Sequence, residues 1–258
     1  MATVKTKETT EISTIEIDTQ TITFGLLGTT PIILNSMNAK VMQELLMPKG
    51  KKTTAERSGT LKHDPYAEFR RAPYTLPDDE APTYLAHLAT AFKKAIASTA
   101  VDLPGAKKAQ LSRLMWVEGE RIPIYGVPQI HMSVTRNSDM NHTPDVRTRC
   151  CVPQWAAIIT VRFVVPILKD TVVASLLGAA GLIQGVGDWR PEKGSGTYGQ
   201  FAVVDHDDKR IKDIMKIGGR KAQIKAMEHP DAYDNTTEEL LGWFVAEADK
   251  RGFKGVGK

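Results

Sequence analysis

Residues 155–168 read WAAIITVRFVVPIL, an almost unbroken apolar run rich in β-branched side chains. Such a run is too apolar for a half-exposed strand and too short to span a bilayer, so it belongs at the centre of a sheet covered on both faces. Asp170 follows in position to cap a helix through Val172, Val173, Leu176, Leu177 and Ala180 towards Leu182 and Ile183. That helix ends in glycines, and a short strand, residues 200–204 (QFAVV), comes after them. A central strand, a helix and a second strand fix this part of the chain as α+β.

The upstream half supplies a matching set. From residue 15 to 27, Ile15, Ile17, Ile22 and Phe24 fall into the alternation of a half-buried first strand. Tyr84, Leu85, Leu88, Ala91, Phe92, Ala95 and Ile96 are spaced for one buried helical face, with Asp79, Glu80 and Pro82 as an acidic, proline-primed start. A shorter helix is predicted over 106–116, then extended segments over 121–125 and 127–134. Residues 135–149 (TRNSDMNHTPDVRTR) are polar and turn-rich, so their flanks, 127–134 and 155–168, predict a hairpin with a projecting tip.

Two long segments interrupt this core. Between residues 28 and 79, Pro31, Pro48, Pro65, Pro73, Pro77 and the run KGKK break up regular structure, apart from a helix near 38–47. Insertions of that length in compact domains usually carry function. Residues 1–14 lack periodicity and read as a flexible arm. Residues 206–258 read as a basic helical C-terminal extension: an amphipathic helix over 209–225 broken at Gly218 and Gly219, then a helix capped by Thr236 or Thr237. The second helix should bury Leu240, Leu241, Phe244 and Val245 and stop at Gly252.

Composition narrows the class. With 41% hydrophobic and 25% charged residues the chain can bury a sizeable core. Its Thr- and Glu-rich start is not a secretory signal and no run suits a membrane span, so the expectation is a cytoplasmic protein. The two cysteines, Cys150 and Cys151, are adjacent, a spacing that disfavours a disulfide. They are expected as reduced thiols, one facing the core and one facing solvent, with no second pair to complete a zinc site. The formal charge is only +4, but residues 40–71 hold eight Lys or Arg against four acids, and residues 209–225 hold seven against one. Clustered cations of this kind suit an anionic partner.

The chemistry is concentrated in residues 185–199, GVGDWRPEKGSGTYG. The segment is no P-loop, because Lys193 precedes Gly194, and no dinucleotide turn, because it follows a helix and precedes a strand. A flexible loop remains, exposing backbone N–H groups beside Arg190, Lys193 and Tyr198, with Gly194 and Gly196 permitting close approach to phosphates. Trp189 is either a plug beneath the loop or a platform for a base. His131, His142 and His206 show neither HxH nor HExxH spacing, and no catalytic constellation, metal site or cofactor is predicted. The candidate nucleic-acid contacts are Lys40, Lys49, Lys51, Lys52, Trp189, Arg190, Lys193, Gly194, Gly196 and Tyr198. Two alternatives stay open: an assembly protein whose basic stretches meet acidic neighbours, and an enzyme using a nucleotide at the glycine loop.

The order strand, helix, long hairpin, helix, glycine-rich loop, strand resembles that of the RAMP superfamily, the RRM-like proteins of CRISPR systems. The long insertion and the projecting hairpin resemble those of backbone subunits of CRISPR effector complexes. The resemblance covers residues 15–204 and implies a ferredoxin-like β-α-β-β-α-β core over 15–205, with insertions at 28–79 and 135–149. It further implies sequence-independent binding of single-stranded RNA along a head-to-tail chain of protomers, a filament or ring, with 135–149 as a thumb. Some such subunits cut RNA with an aspartate after the first strand, but residues 25–43 contain no Asp or Glu, so cleavage is not expected here. A phage or mobile-element relative acting on single-stranded DNA has the same features, so DNA remains open.

Overall fold

The computed structural model describes residues 16–36, 42, 46–47, 61–105, 107–136, 143–193 and 196–253. In chain order the elements are β1 (Asp18–Gly28), β2 (Ile32–Leu34), α1 (Pro65–Arg71), β3 (Tyr74–Thr75), β4 (Leu85–Leu88), α2 (Ala89–Ser98) and α3 (Lys108–Leu114). There follow β5 (Met115–Val117), β6 (Arg121–Pro123), β7 (Gln129–Arg136), β8 (Pro144–Val152), β9 (Ala156–Val165) and α4 (Asp170–Ala179). A π-turn (Ala180–Gln184) extends α4, and β10 (Phe201–Val204), α5 (Lys209–Ile217), α6 (Arg220–Glu228) and α7 (Asn235–Lys250) complete the chain.

The apolar run becomes β9, the inner strand of a four-stranded antiparallel sheet in the order β10-β1-β9-β5. Alternate residues Phe24, Leu26, Ile159, Val161 and Phe163 join Phe92 and Ile96 of α2 and Val173 and Leu177 of α4 in one core. On the other face α5 crosses β1 at Gly25, where an added Cβ would lie 2.5 Å from the buried Ile211. Helices thus cover both faces of β9 over part of its length.

Two smaller antiparallel sheets, β2-β8-β7 and β3-β4-β6, extend this core. In the first, Ile32, Leu34, Ile130, Met132, Cys150 and Val152 share the inward face with Phe69 of α1. The C-terminal helices are built into the same body: Gln223 of α6, fully buried, accepts from the N–H groups of Tyr84 and Leu85 and donates to the carbonyls of Ile124, Gly126 and Gly218.

Several expectations are corrected. The hairpin joins β7 to β8, from Gln129 opposite Cys151 to Arg136 opposite Pro144, so residues 144–149 are strand and β9 pairs with β1 and β5 instead. The helix predicted after Pro82 starts only at Ala89, because Leu85 and Ala86 are sealed as a strand between β3 and β6. Asp170 is the first residue of α4; Lys169 holds the cap position without a side-chain bond. Both cysteines are buried, since β8 is covered on both faces. On α7 Leu241 is buried but Leu240 is exposed. Within the 28–79 insertion lie β2, α1 and β3. The helix near 38–47, apart from the exposed Met42, Leu46 and Met47, the arm 1–14, and the hairpin tip over 137–142 lie outside the described residues. No helix among the described residues is long and apolar enough to cross a membrane.

Candidate nucleic-acid interface

The glycine-rich segment is laid along β2 as a narrow ladder. Asp188 N–H donates to the Ile33 carbonyl at 2.8 Å and Gly199 N–H to that of Pro31 at 2.8 Å. Across the segment, Val186 N–H donates to Gly199 at 2.9 Å and Tyr198 N–H to Trp189 at 3.1 Å. These amides, expected to face a ligand, are engaged inside the protein. Gly199 has φ of 72°, and a Cβ there would lie 1.7 Å from the Val186 carbonyl oxygen, so only glycine fits this crossing.

Arg190 also turns inward. Its Nε and NH2 donate to Glu192, at 2.8 and 2.5 Å, and its NH1 donates to the Gly187 carbonyl at 2.8 Å. Lys193 is exposed and makes no ion pair among the described residues. Gly194, Lys40, Lys49, Lys51 and Lys52 lie outside the described residues. Gly196 abuts the Trp189 carbonyl, which an added Cβ would approach to 1.8 Å.

What the ladder brings together is aromatic. Trp189, at φ 52°, stacks on Tyr198 with centroids 6.2 Å apart. Tyr198 is 6.2 Å from His131 of β7, and His131 is 5.1 Å from Tyr233, edge to face. The segment before α7 places Tyr233 by running beside β7, with Ile130 N–H donating to Asp231 and Tyr233 N–H donating to Ile130. Trp189, Tyr198 and Tyr233 are each half-buried, so the row keeps part of its ring surface in solvent. Burial raises both phenols, which stay protonated donors at neutral pH. Burial lowers His131, opposed by Asp234 and reinforced by Arg149. Burial beside Asp234 pushes the Cys151 thiol up to about 12, so it is no nucleophile at neutral pH.

Cations flank this row. Opposite His131 in register is Arg149, and opposite Ser133 is Arg147, both on the same face of the β7–β8 pair. At the edge of β8 beyond β2, a cavity of about 310 Å³ is lined by Ser36, Lys62, Arg71, Arg147 and Arg149. His63 is fixed in its wall between Glu68 at 2.8 Å and Asp145 at 2.9 Å. Lys62 donates to Asp145 at 2.9 Å, and this bond holds the Asp145 carboxyl below its usual range, with His63 assisting against burial. Arg149 is anchored by Asp188 at 2.9 Å. Sequence reasoning missed Lys62, His63, Arg147 and Arg149 as a group; the alternation Asp145, Arg147, Arg149 against Val146, Thr148, Cys150 was the available signal.

A second cavity, about 200 Å³, lies between α2 and the glycine-rich segment. His87 of β4 forms part of its wall, with Nδ1 sealed and without a hydrogen-bond partner among the described residues. A buried polar atom left in this state costs on the order of 1–3 kcal/mol. Elsewhere, exposed Asp205, His206 and Asp207 could share a cation, though Asp207 already pairs with Lys212 at 2.8 Å.

No family model matches the chain. No curated protein matches it. Among solved structures it is similar to the type III-B Cmr-beta bound to cognate target RNA, at 10% identity and a TM-score of 0.37, over 72% of this chain and 59% of that one. It is also similar to Cmr6 from Pyrococcus furiosus, at 9% identity and a TM-score of 0.33, over 72% of this chain and 98% of that one. The chain therefore spans less than two thirds of the first neighbour's length and nearly all of the second's. At these identities and TM-scores neither similarity carries an argument about the family or function of this chain.

Proposed function

We propose that this chain binds single-stranded nucleic acid without reading its sequence, RNA in preference to DNA, as a non-catalytic subunit. The observation that carries the reading is the half-exposed row Trp189, Tyr198 and Tyr233 around His131, flanked by Arg147, Arg149 and Lys62, with Lys193 exposed in the same loop. Aromatic faces accept any base, and neighbouring cations accept any phosphate. The preference for RNA follows the RAMP-like order of elements. Lys40, Lys49, Lys51, Lys52 and Gly194, which lie outside the described residues, are read as further nucleic-acid contacts, and Gly196 packs against the Trp189 carbonyl. Arg190 contributes through the loop it holds closed.

The core is read as ferredoxin-like. The sheet order β10-β1-β9-β5, with helices following β1 and β9, supports that reading. The length of the 28–79 insertion and of the β7–β8 hairpin supports a reading of head-to-tail self-association along the strand, in the cytoplasm. A competing reading, an assembly protein, draws on Trp243 of α7, which is 64% exposed.

The deciding measurement is fluorescence anisotropy with labelled homopolymers and a mixed strand of about 40 nucleotides over a salt series. Expected are similar affinities for all strands and a steep loss with salt. Absence of binding at low salt, or a flat salt response, overturns the reading in favour of the assembly protein.

A further inference from the structure

We propose that the cavity between α2 and the glycine-rich segment receives one nucleobase of the bound strand, an inference that rests on the single-strand reading above. The cavity is built by small and absent side chains. Ala91 and Ala95 face it from α2, and Gly187, at φ 87°, passes it without a side chain. A Cβ on Gly187 would lie 2.6 Å from the Ile33 carbonyl oxygen, so the loop backbone lies close against β2 and cannot swing inward to fill the space.

Its chemistry suits a neutral planar ring with a polar edge. One wall is aromatic: Tyr74 and His87 lie 6.2 Å apart, and His87 is braced edge-on by Phe92 at 5.9 Å. His87 makes no hydrogen bond among the described residues, and with Nδ1 sealed, an occupant meets the imidazole through its face or Nε2. Burial, with the charge of Arg190 second, holds His87 neutral, so Nε2 donates or accepts according to tautomer.

The rim carries Lys94 and Arg190 against Asp188 and Glu192, a balanced set. Both cations already face Glu192, at 4.0 and 2.5 Å, so a free anion gains little there. About 200 Å³ falls below the roughly 300–1,000 Å³ of pockets for larger ligands and matches a single ring system. Asp188 and Arg190, the chain neighbours of Trp189, line the cavity, which links it along the backbone to the aromatic row.

The test is photo-crosslinking of the full chain to a single strand carrying 5-iodouracil, read by mass spectrometry. Crosslinks at Tyr74 or His87, beside those at Trp189 and Tyr198, are expected. Ala91→Leu fills the cavity from a half-exposed helix position. It should cut the Tyr74 crosslink by about tenfold or more while strand affinity changes by less than about threefold. His87→Phe, which keeps the wall apolar and removes the ring nitrogens, should lower the same crosslink. If the strand binds with salt dependence but crosslinks only at Trp189 and Tyr198, the cavity proposal is overturned and the single-strand reading stands. If 5-iodouridine monophosphate crosslinks to Tyr74 but the strand does not, the cavity serves free nucleotides and the proposal is overturned. If no strand binds at all, both readings fall.

Discussion

Trp189 lies stacked on Tyr198, with ring centroids 6.2 Å apart and planes 24° from parallel. The backbone brings the two residues side by side, because Tyr198 N–H donates to the Trp189 carbonyl at 3.1 Å. Tyr198→Ala should therefore weaken single-strand binding by about 1–3 kcal/mol, roughly 5- to 150-fold, equally for all sequences. Tyr198→Phe should keep most of the affinity. Anisotropy at fixed salt, with thermal melts as a control for folding, checks both.

Lys193 and Arg190 should separate in their effects although both belong to the same loop. Lys193→Ala removes an exposed cation, so the salt slope of binding should fall by about 1 with little change in stability. Arg190→Ala leaves the Gly187 carbonyl and Glu192 without their donor, so it should destabilise the fold by roughly 1–3 kcal/mol and leave the slope unchanged. Salt titrations paired with urea melts distinguish the two. Equal slope changes would return Arg190 to the phosphate track.

How much of this could be read from the sequence depends on the range of each interaction. Strand β9, α4, the glycine-rich segment and β10 follow from local apolar runs and breakers, and the break at Gly218 and Gly219 between α5 and α6 was equally legible. Strand β4 was not, because Leu85 and Leu88 sit at a spacing that a helix also satisfies; pairing with β3 and β6 decided it. In β8 the period of two is present, but Asp145, Arg147 and Arg149 made it look like a turn. The site shows the same division. Trp189 and Tyr198 are neighbours in sequence and could be chosen together, whereas His131 and Tyr233 join them only through pairing across 102 residues. One of the two cysteines was expected in solvent because nothing local reveals that both faces of β8 are covered.

Gln223 tests whether the C-terminal helices are part of the core. Its side chain satisfies two backbone N–H groups and three carbonyls on otherwise separate segments. Gln223→Leu preserves volume but strands the N–H groups of Tyr84 and Leu85 and the carbonyls of Ile124 and Gly126, so a loss above about 3 kcal/mol is expected, visible as a lower urea midpoint. Gln223→Glu should also destabilise, since its carboxylate cannot donate to the carbonyls of Ile124, Gly126 and Gly218. A change within about 0.5 kcal/mol would mean that α6 is docked loosely.

His87 gives the fold a defined response to acid. Its imidazole is held down from 6.5 to about 4, first by burial and then by the charge of Arg190. The folded value lies below the unfolded one, so between these limits the unfolded chain binds more protons. Stability from this group is therefore complete above pH 6.5 and is lost as pH falls towards 4. At 1.36 kcal/mol per unit the loss amounts to roughly 3 kcal/mol. His131, also lowered by burial, adds in the same direction. Carboxylates held low, such as Asp145 and Glu192, lose their contribution further into the acid range and do so in any His87 variant. His87→Phe removes the titrating group while keeping an aromatic ring against Tyr74 and Phe92. Urea unfolding at several pH values should show the wild type falling more steeply than His87→Phe between pH 6.5 and 4. Parallel profiles for the two proteins would show that the imidazole is not sealed as the structure places it.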